Sequence, residues 1–143
     1  MSMLPQTTLA PKTILVVDDD ASVLTVVSYM LDCGGYNVLM APNAKAALSL
    51  VERNDLNIDL VLLDVIMPDV PGPVLAERIV AIQPGMKILF MSGYTDFEVV
   101  RVKILHRGLK LLPKPFTSKA LLDIVESVLN APAHQSAAAG QRK

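Results

Sequence analysis

The stretch ILVVDDDAS (residues 14–22) decides the fold and raises the first question about chemistry. Four apolar residues end abruptly at three consecutive aspartates, Asp18, Asp19 and Asp20. An apolar run of this length without alternation is typical of a strand buried on both faces, as in a parallel sheet. Three adjacent carboxylates repel one another, so their position directly after such a strand implies a partner that balances their charge.

The same pattern recurs along the chain, because short apolar runs alternate with stretches of helical periodicity. Five such strand–helix pairs indicate an α/β fold with a parallel sheet, helices on both faces and right-handed crossovers. Asp20 or Asp19 is placed to cap the first helix, and Asn43 is placed to cap the second. The predicted strands are 13–17, 36–41, 59–63, 87–91 and 108–113, and the predicted helices lie at about 23–31, 44–51, 75–82, 96–106 and 121–129.

Length and composition fit one folded domain with polar ends. The chain has 143 residues, is 52% hydrophobic and carries a formal net charge of −1. A chain of this length buries about 70% of its unfolded surface, so its core needs no disulfide or structural metal. Residues 13–130 are expected to form the domain, and the aperiodic segments 1–12 and 131–143 are expected to be mobile tails.

Charge and cysteine content narrow the function classes. The 13 basic and 14 acidic residues give no basic excess, so neither a nucleic acid nor an anionic membrane is an expected partner. Cys33 is the only cysteine, which excludes an intrachain disulfide and fits a reducing compartment. No signal peptide is recognisable, and no apolar stretch approaches the ~20 residues of a membrane span. The expected location is the cytoplasm.

Side chains that can bind ligands or take part in reactions lie where four of the predicted strands end. Asp18 and Asp19 follow the first strand, Asp64 the third, Ser92 the fourth and Lys114 the fifth. Ligands of open α/β sheets bind outside the carboxyl ends of the strands, at the switch point in strand order. Each residue alone has an ordinary explanation, such as a helix cap, a turn or a solvated charge. Their joint placement at one edge predicts a functional site.

The chemistry predicted for this edge is that of a hard cation and a phosphoryl group. Oxygen ligands from carboxylates, water and phosphate suit Mg²⁺. A carboxylate is also a competent nucleophile, which forms an aspartyl-phosphate. The amine of Lys114 and the hydroxyl of Ser92 would then bind the equatorial oxygens of the phosphoryl group.

At these residues the chain resembles the receiver domains of two-component response regulators. The resemblance covers about residues 12–130. The segment LFMSGYTD (89–96) is similar to the corresponding segment in the C-terminal receivers of hybrid sensor histidine kinases. It implies a flavodoxin-like (βα)5 three-layer sandwich with strand order 2-1-3-4-5, in which the first and third strands are neighbours. The matching pieces are VVDDD (16–20), LLDVIMPDVPG (62–72), FMSGY (90–94) and LPKPF (112–116).

The resemblance implies a metal-binding set. Asp18 and Asp19 match the acid pair that holds Mg²⁺ in receivers, mainly through Asp19 and through water on Asp18. Asp64 matches both the phosphoacceptor and a further metal ligand, and the backbone carbonyl of Ile66 matches another ligand.

The resemblance also implies a phosphoryl-binding pair and a switch. Ser92 matches the switch hydroxyl, and Lys114 matches the lysine of the family, with a cis bond to Pro115. The chain departs from the pattern at Leu111, where receivers usually carry an aromatic residue that rotates on activation. Signalling is therefore expected to depend on Ser92 and the loop after it, including Tyr94.

A phosphoacceptor signalling domain, rather than an enzyme in its own right, is the function that the resemblance implies. A phosphohistidine on a sensor histidine kinase or a histidine phosphotransfer domain would donate the phosphoryl group to Asp64 in an Mg²⁺-dependent step. A downstream protein would then recognise the face made by the fourth helix, fifth strand and fifth helix. The chain is expected to be a monomer or weak homodimer, either as a stand-alone regulator or as the receiver part of a hybrid kinase.

A phosphatase is the alternative interpretation. Asp18-x-Asp20 looks like the first motif of haloacid-dehalogenase-type phosphatases, with Asp18 as nucleophile and Asp20 as general acid. That interpretation leaves Asp64 without a role, and the late acids it needs are only Asp123 and Glu126, in a helical pattern. A flavodoxin-like binding module is a third class, but a flavin phosphate would need hydrogen-bond donors at this edge and not carboxylates.

Overall fold

The computed structural model of the chain describes residues 10–93 and 110–132. The bounds of the first four strands agree with the predicted bounds to within one residue. The predicted fourth helix at 96–106, Tyr94 and most of the two predicted tails lie outside the described residues. The elements are β1 (Thr13–Val17), α1 (Ala21–Cys33), β2 (Asn37–Ala41), α2 (Ala44–Val51), a 3-10 turn (Asn54–Leu56), β3 (Leu60–Asp64), α3 (Gly72–Ile82), β4 (Lys87–Ser92), β5 (Lys110–Pro113) and α4 (Ser118–Asn130), which is the fifth predicted helix.

The five strands form one parallel sheet in the order β2-β1-β3-β4-β5, which confirms the predicted order. Val17 of β1 lies beside Leu63 of β3, so the residues that follow these two strands lie at the same level. On the other side of β3, Ser92 at the end of β4 pairs with Pro113 at the end of β5. The carboxyl ends of four strands therefore meet at one edge.

Both faces of the sheet are buried, which explains why the strands are continuous apolar runs. Successive residues of a strand point to opposite faces, so neighbouring side chains enter different cores. Leu63 and Phe90 lie in the cluster covered by α2 and α3, whereas Leu62 and Leu89 lie in the cluster covered by α1 and α4. The result is the predicted three-layer sandwich.

Side-chain caps and a glycine determine where the first two helices begin and the first one ends. The carboxylate of Asp20 accepts a hydrogen bond from the backbone N–H of Ser22 at 2.8 Å, and Asn43 accepts one from Ala46 at 2.8 Å. Both bonds satisfy N–H groups that have no partner within the helix. After α1 the chain turns at Gly35, whose φ of +94° favours glycine. None of the helices among residues 10–93 and 110–132 is long and apolar enough to cross a membrane.

Candidate functional site

Three carboxylates meet at the carboxyl edge of the sheet, as the strand ends predict. Asp18 and Asp19 follow β1, and Asp64 is the last residue of β3. One oxygen from each of the three lies within 4.8 Å of the others. Asp18 and Asp64 are only 1% and 6% exposed, whereas Asp19 is exposed. The cluster therefore has two buried acids and one at the surface.

Lys114 lies between the two buried acids. Its Nζ donates a hydrogen bond to Asp18 Oδ2 at 3.0 Å and lies 3.3 Å from Asp64 Oδ1. Its backbone N–H donates to the carbonyl of Ser92 at 2.8 Å, which ties the start of this loop to the end of β4. The bond to Pro115 is cis, which confirms the geometry that the resemblance implied.

The two aspartates at either end of the DDD run have different surroundings. Asp18 Oδ1 accepts a hydrogen bond from the backbone N–H of Asp20 at 2.9 Å, while its Oδ2 accepts from Lys114. Asp20 is exposed and caps α1, so it takes no part in the acidic cluster. Both oxygens of Asp18 are thus engaged, which holds its carboxylate in one orientation.

Ser92 is at the same edge but is bonded locally. The residue is 1% exposed, and its hydroxyl donates to the carbonyl of Gly93 at 3.1 Å. Leu111 is partly buried on β5 beside Phe90 and packs against the core cluster under α2 and α3. The residue at the usual aromatic position is therefore part of the core packing.

Burial and charge shift the proton affinity of two site residues. Burial, together with the carboxylate of Asp18, raises the pKa of Asp64 to about 6, although Lys114 opposes the shift. Burial lowers the pKa of Lys114, but the hydrogen bond to Asp18 and the charge of Asp64 outweigh it and leave the pKa above its ordinary value. The ammonium group of Lys114 therefore stays charged at neutral pH, while burial and the carboxylate of Asp18 oppose the ionisation of Asp64.

The loop between β3 and α3 is closed tightly around the backbone of Asp64. The N–H of Gly72 donates to the carbonyl of Val65 at 2.7 Å. A Cβ on Gly72 would lie 2.4 Å from the carbonyl oxygen of Asp64, so only glycine fits there. Sequence reasoning missed this residue as part of the site, although the Pro71–Gly72 pair at a helix start was an available signal. Ile66, within the loop, is 49% exposed.

The donor set fits a hard divalent cation. Three carboxylates and one ammonium group leave an excess of negative charge in a largely buried cluster. The ligands are all oxygens, and the exposed Asp19 leaves a side open to solvent, which suits an ion such as Mg²⁺ that keeps several waters. Asp18, Asp19 and Asp64 are the residues that could hold the ion.

Comparison with known sequences identifies relatives over most of the chain. The "Response regulator receiver domain" family matches residues 14–126. The chain is 39% identical over 133 residues to the DNA-binding transcriptional regulator NtrC of Azospirillum brasilense, covering 90% of this chain and 27% of NtrC. It is 32% identical to the sensor kinase CckA of Brucella abortus, over 82% of this chain and 12% of CckA. The chain thus spans about a quarter or less of the length of these two relatives.

A shorter relative and two solved structures match over nearly their whole length. The receiver protein CpdR of Brucella abortus is 30% identical over 84% of this chain and 98% of CpdR. A CheY-like receiver domain protein from Methanospirillum hungatei superposes with a TM-score of 0.74 at 32% identity, covering 84% of this chain and 94% of that one. The receiver domain of NtrX from Brucella abortus gives 0.75 at 29%, covering 83% and 99%.

These relatives decide between the interpretations left open by the sequence. The haloacid-dehalogenase alternative is not supported, since the family match spans the two buried acids and the lysine between them. Asp20, the general acid of that alternative, caps α1 instead. The chain belongs to the response regulator receiver domain family, and its function is phosphorelay signalling in a two-component system.

Proposed function

We propose that Asp64 accepts a phosphoryl group from a phosphohistidine while Mg²⁺ is bound by Asp18, Asp19, Asp64 and the backbone carbonyl of Ile66. The observation that carries the proposal is the three-carboxylate cluster with Lys114 between its two buried members. The ion, when bound, supplies positive charge that offsets the carboxylates and the charge of the phosphoryl oxygens.

The surroundings of the two buried acids distinguish Asp64, the proposed nucleophile, from Asp18, which is proposed only as a metal ligand. Both oxygens of Asp18 are hydrogen-bonded, one to Lys114 and one to the N–H of Asp20. Its carboxylate is therefore fixed in one orientation and is not the nucleophile that attacks phosphorus. Asp64 lies at the end of the central strand. Its raised pKa shows that burial and Asp18 disfavour the ionised carboxylate, so a bound cation would stabilise it. In the transfer, an Asp64 oxygen bonds to phosphorus and the donor P–N bond breaks. The imidazole nitrogen keeps the electron pair and takes up a proton from solvent.

Lys114 and Ser92 complete the phosphoryl site in this proposal. The ammonium group of Lys114 is already 3.3 Å from Asp64, so a small movement brings it to a phosphoryl oxygen. The hydroxyl of Ser92 donates to Gly93, and rotation about its Cα–Cβ bond would turn it toward the phosphoryl group. This rotation is the proposed switch, since Leu111 has neither a ring to swing nor a hydroxyl to donate.

The partners proposed for the chain follow from its family. The donor is a sensor histidine kinase or a histidine phosphotransfer domain in the cytoplasm, and a downstream protein recognises the switched face. Residues 13–130 act as the receiver unit, as a monomer or weak homodimer, either alone or as the receiver part of a hybrid kinase. In this role the unit is a phosphoacceptor and does not itself catalyse turnover of a separate substrate.

The test is the mass of the intact protein after incubation with acetyl phosphate, with and without Mg²⁺. We expect one phosphoryl adduct that requires Mg²⁺ and is absent from Asp64→Asn. Asp18→Asn is the matched control, because it removes a neighbouring buried carboxylate and should slow the reaction without moving the acceptor. An adduct that persists in Asp64→Asn but is lost in Asp18→Asn would contradict the proposal, as would the absence of any adduct.

A further inference from the structure

We propose that Asp69 is a positioning residue for the Mg²⁺ site, which it serves by tethering the loop after β3 to the first residue of α2. This inference rests on the proposed function, because it concerns how the chain holds the ion that phosphoryl transfer needs. Asp69 is not part of the acidic cluster formed by Asp18, Asp19 and Asp64. It acts through the backbone of the loop in which Ile66 lies.

The tether is a single side-chain to backbone hydrogen bond. Asp69 Oδ2 accepts from the backbone N–H of Ala44 at 2.9 Å, in a partly buried position. Ala44 is the first residue of α2, so its N–H has no partner within the helix and points out of its N-terminal end. A carboxylate is favoured there by the helix dipole as well as by the hydrogen bond. The bond joins two segments that are 25 residues apart in sequence.

The loop from Asp64 to Gly72 is held at its base, at Met67 and at Asp69, and in the base the N–H of Val65 also donates to the carbonyl of Met91 at 3.0 Å. Its base is closed by the Gly72 to Val65 hydrogen bond, and the side chain of Met67 is buried at 6% exposure in the core under α2 and α3. Asp69 provides the third hold, on the far side of Met67. Ile66 is half-exposed and lies between the first two holds, so its carbonyl direction depends on the chain on either side.

Packing supports the outer part of this loop at Val70, which is half-buried against the core under α2 and α3, but not at Asp69, which is exposed. Asp69 and Val70 line a groove of about 360 Å³ between α2 and α3, together with Lys45 and Arg78. A solvent-accessible groove offers fewer contacts than a sealed core, so the hydrogen bond to Ala44 carries more of the restraint. Loss of that bond is expected to widen the range of positions available to the Ile66 carbonyl. The binding of Mg²⁺ would then cost the entropy of ordering the loop.

The experiment compares Mg²⁺ affinity among variants that remove the tether from either end. Asp69→Ala removes the acceptor, and Ala44→Pro removes the donor while keeping a residue that suits the first helical position. Asn43 has φ −159° and ψ 173°, an extended backbone that is compatible with a following proline, but Ala44 is only 2% exposed, so the larger ring must also fit against the core. The probe is Mg²⁺ alone, titrated while backbone amide shifts are followed by NMR. Thermal unfolding is measured in parallel.

Two control variants separate loop positioning from helix stability and from charge. Asn43→Ala removes the other side-chain cap of α2, the bond to Ala46, without touching the loop. Asp69→Asn keeps an oxygen that accepts the Ala44 bond but removes the negative charge. We expect Asp69→Ala and Ala44→Pro each to raise the Kd for Mg²⁺ about tenfold, the lower end for residues that orient metal ligands. Asn43→Ala and Asp69→Asn should change it less than about twofold on that scale.

The double variant Asp69→Ala/Ala44→Pro gives a further check, because removal of both ends of one bond should weaken Mg²⁺ binding no more than removal of either. Unchanged Mg²⁺ affinity in Asp69→Ala and Ala44→Pro would overturn the inference, and so would an equal loss in Asn43→Ala or Asp69→Asn.

Phosphorylation of the wild type by acetyl phosphate distinguishes failure of this inference from failure of the proposed function. A wild type that binds Mg²⁺ and forms the adduct while the variants match it refutes only the tether. A wild type that binds no Mg²⁺ refutes both.

Discussion

Three adjacent aspartates coexist in this chain because each lies in different surroundings. Asp18 is buried and pairs with Lys114, Asp19 lies exposed at the rim of the acidic cluster, and Asp20 caps α1. The N-terminal end of α1 carries partial positive charge, which stabilises the carboxylate of Asp20. Repulsion is therefore concentrated on Asp18, Asp19 and Asp64, where the proposed Mg²⁺ would relieve it.

The raised pKa of Asp64 predicts how stability depends on pH in the absence of metal. The folded state binds the Asp64 proton more tightly than the unfolded state, because the pKa rises from 3.8 to about 6 on folding. The contribution of Asp64 to the free energy of unfolding is therefore complete below pH 4 and is lost as the pH rises to about 6. Urea unfolding in EDTA, compared between wild type and Asp64→Asn across this range, measures the effect.

Asp64→Asn is the reference for the wild type in this series, because asparagine does not titrate. The variant should gain stability relative to the wild type as the pH rises from about 4 to about 6, and hold that advantage up to pH 7. Mg²⁺ should reduce the advantage, since the cation stabilises the ionised carboxylate of the wild type. A difference between the two proteins that stays constant with pH would contradict the assigned shift.

Gly72→Ala is predicted to disturb the acceptor residue through the backbone. The new Cβ would lie 2.4 Å from the Asp64 carbonyl oxygen and 2.8 Å from Val65 Cα, and neither is a flexible side-chain end. We expect a loss of about 1–3 kcal/mol, as for other overpacking changes, together with slower phosphorylation by acetyl phosphate. Gly93→Ala is the control for stability, because a Cβ there meets no atom of residues 10–93 and 110–132 within 4 Å. Equal stability of the two variants would contradict the close approach.

At the scale of elements, one lysine links the start of β4 to the end of α4. Lys87 Nζ donates to the carbonyl of Leu129 at 2.6 Å and to that of Ala131 at 2.9 Å. The last carbonyls of a helix have no partner within it, and a cation there also complements the dipole. The lysine thus caps the helix from a strand more than 40 residues earlier in the chain.

Lys87→Met should therefore destabilise the protein and loosen the last turn of α4. Methionine retains most of the apolar stem, so the loss of about 1.5–3 kcal/mol expected for hydrogen bonds to a charged group isolates the cap. Urea unfolding gives the stability, and amide hydrogen exchange of the last turn locates the change. Lys119→Met is the control: its 2.7 Å ion pair with Asp123 is exposed and should contribute little. Similar losses in both variants would argue against a special role for Lys87.

At the scale of the whole molecule, the sheet separates two hydrophobic cores. Neighbouring residues Leu62 and Leu63 of β3 are both fully buried, but they belong to different clusters. An antiparallel sheet with one face in water would bury only one of such a pair. The helices on both sides therefore bury every residue of the central strand, and the four residues before Asp64 belong to the two cores.

This arrangement predicts that Leu62→Ala and Leu63→Ala are comparably harmful. Each should lower the free energy of unfolding by about 2–5 kcal/mol, the usual range for Leu to Ala in a core. Met40→Ala, on the edge strand β2 with 54% of the residue exposed, is the control and should have a much smaller effect. Urea unfolding of the three variants tests the layering. A small loss at either leucine would mean that one face of β3 is not covered.

The sequence by itself determined the succession of strands and helices and the residues at the strand ends. Apolar runs and helical spacings are local patterns, so β1 was predicted to the residue and the Asp20 and Asn43 caps were anticipated. The meeting of Asp18 with Asp64 and Lys114 followed from a single rule about strand ends in parallel sheets. Strand order came from the family resemblance, because periodicity carries no information on which strands are neighbours.

Tertiary structure alone decided the contacts that hold the site in place. The Asp69 bond to Ala44, the Lys87 cap on α4 and the close approach of Gly72 to Asp64 each depend on the relative positions of two elements. The pKa of Asp64 is likewise a property of burial and of neighbours brought by other strands. Such interactions have no period and no fixed spacing in sequence, so they become visible only when the chain is folded.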